Sequence, residues 1–457
     1  MYIDIDIDRL DMDSVLLPIY KFTRTKKFSV IDYNHDINEL NKVKYHIILD
    51  LNCQYSLDIA IATLNRRSWC KIINSKNIKN DTNNIIQISD FENILWEPVM
   101  EGNHRASSYL IRKGLSRKAQ LALQIKRYQS KHPNSILCKS VPFTIVVETW
   151  NAFEEMKLDF GLGTYASFDT STVLQAPLNK RLEWCLEDVK EILENDDKKD
   201  WYWILKPSVT NKGADIVVIK NWDDVIDNLE LVPDIREWVL QKYIERPLLI
   251  KGHKFHLRVY ILCIGALKVY VFENILMLLA AHRYKLDDLD DIYSHLTNTA
   301  RSAENIDFDE SKYILLLDDL AYIIHQQNSS KYDYNKALEI VEKIRIDIRM
   351  IVKELFSAFE NEYTIFSPMS NCFELFGLDF LIDENFNVTL LEVNPGPDFK
   401  QTGTRLRKVI VELWEQTISL IIDQNHTNEN NNQTKDFTLV YDNELSVSSI
   451  KGGLKFQ

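Results

Sequence analysis

The sequence predicts a mixed α+β protein that folds as about three domains. Three observations support this. The chain has 457 residues, which is too long for one small hydrophobic core. Short runs of β-branched and aromatic residues alternate with segments whose apolar residues recur every three or four positions. The hydrophobic fraction of 45% allows a large buried core and excludes a chain that is disordered throughout.

The first predicted domain covers residues 1–140. The apolar run Tyr45–Leu51 predicts a buried strand, and the Asn- and Lys-rich Ser75–Asn84 predicts a surface loop. From Ser107 to Gln129 the apolar residues follow helical spacing, so this pattern predicts a helix.

The second predicted domain covers residues 141–246 and has the pattern of a small α+β unit. Its predicted strands are Phe143–Val147, Trp201–Leu205, Ile216–Lys220 and Trp238–Tyr243, and its predicted helices are Asn179–Leu193 and a segment near Asp223–Leu229.

The third predicted domain covers residues 247–424, and a flexible tail follows at 425–457. The predicted strands are Arg258–Ile264, Lys268–Phe272, Phe373–Ile382 and Asn387–Val393, and the predicted helices are Tyr313–His325, Tyr334–Phe359 and Arg405–Ile422. The Asn-rich stretch Asn425–Thr434 has almost no apolar residues, which predicts a disordered linker.

The composition excludes several classes of function. The net charge of −13 argues against general binding to nucleic acid or to an anionic membrane, because both need a basic surface. The longest apolar runs fall far short of the ~20 residues that span a bilayer, and the first residues are acidic rather than typical of a signal peptide. The six cysteines form no C-x-x-C pair, as in reduced proteins of the cytoplasm. The sequence therefore predicts a soluble cytoplasmic protein.

A hairpin near the end of the third domain carries the most informative polar residues. Asp379 lies on its first strand, and Glu392 and Asn394 share one face of the second, because side chains two apart point the same way. Two carboxylates and an amide are oxygen donors that suit Mg²⁺ carrying nucleotide phosphates. A core hairpin with polar tips is the alternative.

A phosphate site is indicated in the second domain. Lys206 ends a strand and is followed by a polar turn containing Gly213, so a charge and backbone N–H groups could hold phosphate oxygens. A lysine at a solvated strand end is the alternative. An apolar strand follows whose main chain could bind an adenine, and its relevant residues are Gln241, Lys242, Tyr243 and Ile244.

Two further polar patterns lie in the third domain. Strand alternation places Lys254, His256 and Arg258 on one face, and an arginine can bind phosphate through two hydrogen bonds. The polar tetrad His295–Asn298 follows an aromatic-rich loop. Each pattern is weak alone, but their order and spacing along the chain are informative together.

In these stretches the chain resembles the tubulin tyrosine ligase and tubulin tyrosine ligase-like family, whose fold is ATP-grasp. The matching stretches cover about Trp203–Phe399, and a weaker match lies at Ser116–Ile125. They read WILKPSVTNKGADI, VLQKYIERPLLI, GHKFHLRVY, HLTNTA and FELFGLDFLIDENFNVTLLEVNPGPDF, with SRKAQLALQI as the weaker one.

The resemblance implies a role for each matching residue. Lys206 and Arg258 are the candidate catalytic residues, since they resemble the family's phosphate-binding lysine and the arginine that meets the transferring phosphate. The acidic hairpin residues resemble the Mg²⁺-binding triad. The candidate nucleotide contacts are Lys118, Lys206, Gly213, Gln241, Lys242, Tyr243, Ile244, His256, Arg258 and Asn298, and the candidate metal ligands are Asp379, Glu392 and Asn394.

The implied activity is ATP-dependent carboxylate–amine ligation. The γ-phosphate of ATP is transferred to a carboxylate of an acceptor protein, and the amine of a free amino acid then attacks the acyl phosphate. Tyrosine or glutamate is the implied amino acid, tubulin is the implied acceptor, and ATP and Mg²⁺ are required.

Three departures from the family pattern favour an alternative function. His256 stands where the family commonly has Asp, Glu273 where many members have a basic residue, and Asp215 where a second Gly is frequent. The alternative is a catalytically weak ATP-binding scaffold that recruits an acidic or ribonucleoprotein partner.

We call Arg105–His132 the basic segment, because it contains eight Lys or Arg and no Asp or Glu. In an acidic chain this local reversal indicates a groove for an acidic polypeptide, such as the C-terminal tail of tubulin. A solvated basic helix face is the ordinary alternative. Contact with RNA is a third interpretation, but the segment offers only Tyr109 and Tyr128 as stacking platforms.

Overall fold

Three β-sheets organise the described part of the chain. The computed structural model describes residues 43–78, 84–148, 186–187, 189–191, 202–209, 215–232, 235, 237–297, 310–402, 404–422 and 435–443. The three sheets all lie within one unit, Lys44–Gln457. Within the described ranges, no helix has the length and apolar content needed to cross a membrane.

The first sheet has four parallel strands in the order β2-β1-β3-β4. Its elements are β1 (Tyr45–Asp50), α1 (Gln54–Leu64), β2 (Cys70–Ile73), β3 (Ile85–Ser89), α2 (Trp96–Met100) and β4 (His104–Ala106). The strand predicted at Tyr45–Leu51 is confirmed. In the predicted loop, Ser75–Asn77 forms a 3-10 turn, and residues 79–83 lie outside the described ranges.

The helix predicted from Ser107 to Gln129 is wrong in its first part. Helix α3 covers only Lys113–Ser116, and α4 covers Lys118–Lys131. Tertiary hydrogen bonds explain the difference. The backbone N–H of Ser107 donates to the carbonyl of Gln87 at 2.9 Å, so this stretch continues the sheet rather than starting a helix.

The second sheet is antiparallel, with the order β5-β8-β6-β7. After α5 (Leu137–Ser140) its elements are β5 (Thr144–Glu148), β6 (Trp203–Pro207), β7 (Val217–Ile219), α6 (Trp222–Leu231) and β8 (Glu237–Lys242). Trp203 and Leu205 enter a small core with α6, so alternation turns Lys206 toward the opposite face. Most of the helix predicted at Asn179–Leu193 lies outside the described ranges.

The third sheet has eight strands and forms the largest part of the fold. The strands are β9 (Leu249–Ile250), β10 (His253–Ile264), β11 (Lys268–Phe272), β12 (Leu276–Leu279), β13 (Ile314–Leu316), β14 (Phe373–Ile382), β15 (Val388–Pro395) and β16 (Phe437–Asp442). The helices are α7 (Ile292–His295), α8 (Glu310–Tyr313), α9 (Leu320–Gln327), α10 (Tyr334–Ser357) and α11 (Arg407–Ile421).

Strand β10 lies at the centre of this sheet, and both of its faces are buried. Val259 and Ile261 belong to the core that includes α10, whereas Tyr260 and Leu262 belong to the core that includes α11. Burial on both faces explains why its second half, Val259–Ile264, reads as a continuous apolar run. By alternation, Lys254, His256 and Arg258 in the polar first half of β10 lie on the same face as Tyr260 and Leu262.

Two elements differ from their predictions. Ile314–Leu316, predicted as part of a helix over Tyr313–His325, pairs instead with β12 as a strand, because that strand offers it backbone partners. Phe437–Asp442, predicted within the flexible tail, pairs with β11, and the Phe437 ring lies 5.2 Å from the Phe272 ring. The predicted linker Asn425–Thr434 lies outside the described residues.

Candidate functional site

The hairpin of β14 and β15 brings the three predicted metal ligands together. Asp379 lies directly across from Glu392, and a bulge follows because Phe380 pairs with Leu390. The Asn394 Nδ2 atom lies 3.2 Å from Asp379 Oδ2 and 3.1 Å from Glu392 Oε1. We call these three residues the acid hairpin. They do not depend on distant elements for their mutual contact.

Arg258 meets the acid hairpin from the neighbouring strand β10, where it lies opposite Asp379. Its guanidinium donates two hydrogen bonds to that carboxylate, with Nε–Oδ1 at 2.6 Å and NH2–Oδ2 at 3.1 Å. Burial lowers the pKa of Arg258, but the Asp379 charge outweighs burial and raises it. A Cβ at Gly377 would lie 3.2 Å from Arg258 Cδ, so glycine leaves room for this side chain.

Two lysines approach Glu392 from other parts of the fold. Lys118, the first residue of α4, places its Nζ 3.4 Å from Glu392 Oε2. Lys206 donates from Nζ to Gln241 Oε1 at 2.8 Å, and burial lowers its pKa to about 8. Burial raises the pKa of Glu392, but the charges of Lys118 and Lys206 outweigh it and lower the pKa to about 2. The carboxylate of Glu392 is therefore held in its charged form.

His256 faces the same cluster. Its Nδ1 atom hydrogen-bonds to the Thr297 hydroxyl, and its buried Nε2 atom, which has no hydrogen-bond partner, lies 3.7 Å from Asp379 Oδ1. Burial lowers the pKa of His256, so the ring is neutral at physiological pH. The residue that the resemblance marks as a departure therefore lies within the site, beside Asp379.

Lys254 belongs to the site as well, although no role was predicted for it. Its Nζ donates to the Tyr243 hydroxyl at 2.8 Å, and that hydroxyl also lies 2.8 Å from His295 Nδ1. Burial and the neighbouring charge of Lys206 lower the pKa of Lys254 to about 7. Its alternation with the charged residues of β10 was the sequence signal that pointed to it.

The predicted adenine strand lies at the end of β8 and beyond. Two backbone N–H groups are used within the sheet, because Lys242 donates to Phe143 at 2.8 Å and Tyr243 donates to Tyr202 at 3.0 Å. An adenine bound here would therefore contact other backbone groups of this stretch, including those of Ile244. A cleft of about 320 Å³ opens beside this strand, and its lining includes Lys118, Lys206, Gln241, Thr144 and Leu391.

The other predicted residues fall into three cases. Gly213 and Asn298 lie outside the described residues. Asp215 has a φ of 54°, a left-handed conformation that glycine adopts freely and that Asp tolerates. Glu273 accepts from Arg349 Nε at 2.9 Å, so its charge is balanced by α10.

The basic segment divides between internal contacts and the surface. Arg105 donates to the carbonyl of Ile421 at 3.1 Å, Arg112 lies 3.2 Å from Glu374, and Lys118 contacts Glu392. The exposed members are Lys113, Arg117, Lys126, Arg127 and Lys131. The basic groove predicted from the sequence is therefore a smaller surface than the run of charges indicates.

The chemistry of these donors fits Mg²⁺ bound together with a polyphosphate. Among the described residues, no group of three or more His, Cys, Asp or Glu side chains could hold a metal ion. The acid hairpin has two carboxylates and one amide instead. Mg²⁺ prefers six oxygen ligands and commonly takes several from phosphates and water. The surrounding positive charges of Lys118, Lys206 and Arg258 suit the phosphates.

Comparisons with known proteins agree with this geometry. The profile of the tubulin-tyrosine ligase family matches residues 114–432. A Schizosaccharomyces pombe protein named "probable tubulin–tyrosine ligase" is 33% identical over 365 residues, which cover 73% of this chain and 80% of that protein. A Saccharomyces cerevisiae protein with the same name is 31% identical over 399 residues. That match covers 78% of this chain, and this chain spans only about half, 48%, of the S. cerevisiae protein.

The fold is also similar to a solved structure. The C-terminal domain of Pby1 from K. lactis superposes with a TM-score of 0.59 and 26% identity, covering 87% of this chain and 99% of that one. It is described as an ATP-grasp enzyme that interacts with the mRNA decapping enzyme Dcp2. The family match over most of the chain and this likeness lead to one conclusion: the chain belongs to the tubulin-tyrosine ligase family and has the ATP-grasp fold.

Proposed function

We propose that this protein is an ATP-dependent ligase that joins an amino acid to a carboxylate of an acceptor protein. The observation that carries the proposal is the convergence of the acid hairpin with Lys118, Lys206 and Arg258. Oxygen donors for a divalent cation lie beside positive charges for phosphates. Phosphoryl transfer depends mainly on such positioning and on electrostatic stabilisation.

The proposed reaction has two steps. An acceptor carboxylate oxygen attacks the γ-phosphorus of ATP, which forms an acyl phosphate and releases ADP. The amine nitrogen of the amino acid then attacks the acyl carbon, so an amide bond forms, inorganic phosphate leaves and a proton is released. Lys206 and Arg258 would neutralise the phosphoryl oxygens, and the acid hairpin would hold Mg²⁺, which supplies further charge neutralisation when bound.

The acceptor that we propose is an acidic polypeptide of the cytoplasm, with the C-terminal tail of tubulin as the first candidate. The exposed lysines and arginines of the basic segment support an acidic acceptor, because opposite charges steer association. The relatives' names support tubulin. Tyrosine and glutamate are the proposed amino-acid donors.

The test is incubation of the protein with ATP, Mg²⁺, tubulin and one labelled amino acid at a time. We expect incorporation that depends on ATP and stops in the Asp379→Ala and Glu392→Ala variants. Retention of full incorporation by either variant would contradict the proposed site. Incorporation into a different acidic protein, but not tubulin, would keep the ligase activity and replace the acceptor.

A second candidate is a catalytically weak ATP-binding scaffold that recruits an acidic or ribonucleoprotein partner. His256 favours it, since a buried neutral ring replaces a carboxylate beside Asp379. The relative from K. lactis that is described as interacting with a decapping enzyme makes a protein partner reasonable. Nucleotide binding without incorporation of any amino acid would support this candidate, whereas ordinary turnover on tubulin would reject it.

A further inference from the structure

The start of helix α4 has an unusual source of hydrogen bonds. The residue before the helix, Arg117, makes no side-chain hydrogen bond that caps it. Such a cap normally comes from a Ser, Thr, Asp or Asn of the same segment. Ser208, on the second sheet, takes this role instead.

Ser208 accepts two hydrogen bonds from the first turn of α4. Its carbonyl accepts from the N–H of Lys118 at 3.2 Å, and its Oγ accepts from the N–H of Ala119 at 3.1 Å. Its own N–H donates to the carbonyl of Glu237 at 2.8 Å, and the residue is 1% exposed. Ser208 is therefore fixed to the second sheet and to α4 at once.

Its place in the sequence gives this contact a consequence for the site. Ser208 follows Lys206 by two residues, and its hydrogen bonds hold Lys118 and Ala119. The charges of these two lysines both act on Glu392. One buried serine thus joins the two segments that carry the positive charges of the proposed phosphate site.

We propose that Ser208 is a positioning residue that fixes the spacing between the ammonium groups of Lys118 and Lys206, and through it the affinity for nucleotide. This inference rests on the proposed function, in which both lysines contact phosphates. A preset spacing avoids the ordering cost of two long side chains when the ligand binds. If Ser208 only stabilised the helix, its substitution would lower the stability of the fold, and its effect on nucleotide binding would be the same with or without the Lys118 side chain.

A double-mutant cycle separates these roles, with binding of the Mg²⁺ complex of a non-hydrolysable ATP analogue as the measurement. We expect Ser208→Ala to weaken binding about fivefold, because without the hydrogen bond from Ala119 to Ser208 Oγ the first turn of α4 must be ordered when nucleotide binds, at a cost of about one capping hydrogen bond. We expect Lys118→Met to weaken it about tenfold, as for the loss of one charged contact. In the Lys118→Met background, Ser208→Ala should then change binding by less than about twofold, because the ammonium it positions is gone.

Additive losses in the double variant, or unchanged binding in Ser208→Ala, would overturn the inference. Ser116→Ala is the matched control, since that hydroxyl donates to the carbonyl of Arg112 one turn earlier, and its loss should leave binding unchanged. If Ser208→Ala does not fold, Ser208→Cys keeps the volume with a weaker acceptor, and the same non-additivity with Lys118→Met decides the matter.

The outcomes also separate this inference from the proposed function. If Lys118→Met and Lys206→Met both leave nucleotide binding unchanged, the proposed phosphate site is wrong and the role of Ser208 falls with it. If both lysine variants weaken binding and Ser208→Ala does not, only the inference about Ser208 is wrong.

Discussion

The acid hairpin and the basic segment look alike in the sequence, as local concentrations of one kind of charge, yet the fold treats them differently. In the hairpin, Asp379 and Glu392 pair across the two strands, and the Asn394 side chain contacts both carboxylates. In the basic segment, Arg112 and Lys118 turn inward to separate carboxylates, while other members stay exposed. Backbone pairing in a hairpin brings residues that are close in the sequence into contact. The contacts of a charged run depend instead on partners from distant parts of the chain.

The largest effect is expected at the hairpin, from Asp379→Ala. The change leaves the Arg258 guanidinium buried without its carboxylate, so we expect a loss of about 3 to 5 kcal/mol in the free energy of unfolding. Urea denaturation measures this, and ligation should be lost as well. The control is Glu384→Gln at the hairpin tip, where an exposed pair with Arg246 is worth less than about 1 kcal/mol. Equal stability of the two variants would show that the buried pair is unimportant.

The hairpin should hold a divalent cation only when nucleotide is present. Asp379 and Glu392 already contact Arg258 and Lys118, so the site without phosphates has no surplus of negative charge. We expect Mn²⁺ affinity, measured by electron paramagnetic resonance, to rise at least about 100-fold when an ATP analogue is added, since phosphates supply ligands. Equally tight binding without nucleotide would contradict this account of the charges.

A pair of variants within the basic segment sharpens the comparison. Lys118→Met removes an inward charge and should weaken nucleotide binding about tenfold. Lys131→Met removes an exposed charge from the end of the same helix, outside the lining of the cleft, and should leave nucleotide binding unchanged. Fluorescence titration with a labelled nucleotide measures both. Equal effects would mean that the segment acts as one diffuse charge rather than through particular contacts.

Nucleotide affinity should fall as the pH rises above about 8, the pKa of the buried Lys206. Above that value the lysine loses the charge that holds phosphate, and Lys206→Met should remove most of this dependence. Stability should change in the opposite direction. The folded pKa lies below the ordinary lysine value of 10.5, so between about 8 and 10.5 the unfolded chain binds more protons and the free energy of unfolding rises with pH.

The smallest effect concerns the exposed part of the basic segment. Replacing Lys126 and Lys131 with Glu should weaken binding of an acidic acceptor peptide about threefold to tenfold at low salt. The difference from the wild type should shrink as salt is added, because these charges are screened. Thermal unfolding should be nearly unchanged. A salt-independent loss would indicate a contact other than charge attraction.

The features that could be predicted from the sequence are those that depend on residues a few positions apart. The two-residue alternation of β15 predicts that Glu392 and Asn394 share one face, and the structure brings both to Asp379. The position of Arg258 beside Asp379 was not predicted, because alternation within β10 does not reveal its partner strand. The chemical roles of these residues remain predictions. The ATP-grasp fold was predicted through the family resemblance and is confirmed. The extra residue at Leu391, which makes the bulge, has no recognisable signal in the sequence.

Features that depend on distant contacts were not predicted. Alternation places Lys254 on one face with His256 and Arg258, but its burial and its contact with Tyr243 depend on the fold. Arg112 and Glu374 are separated by most of the chain, and only the folded structure brings them together. Strands β12, β13 and β16 were missed because pairing with a neighbouring strand defines them.

Strand β16 has a practical consequence for the design of shortened proteins. A fragment ending at residue 424 would look reasonable from the composition, yet it would strip the outer edge of β11 and uncover Phe272. Bare strand edges with apolar side chains pair readily with other molecules, so such a fragment should aggregate during expression. Fragments that keep the chain through Asn443 retain the strand that protects this edge.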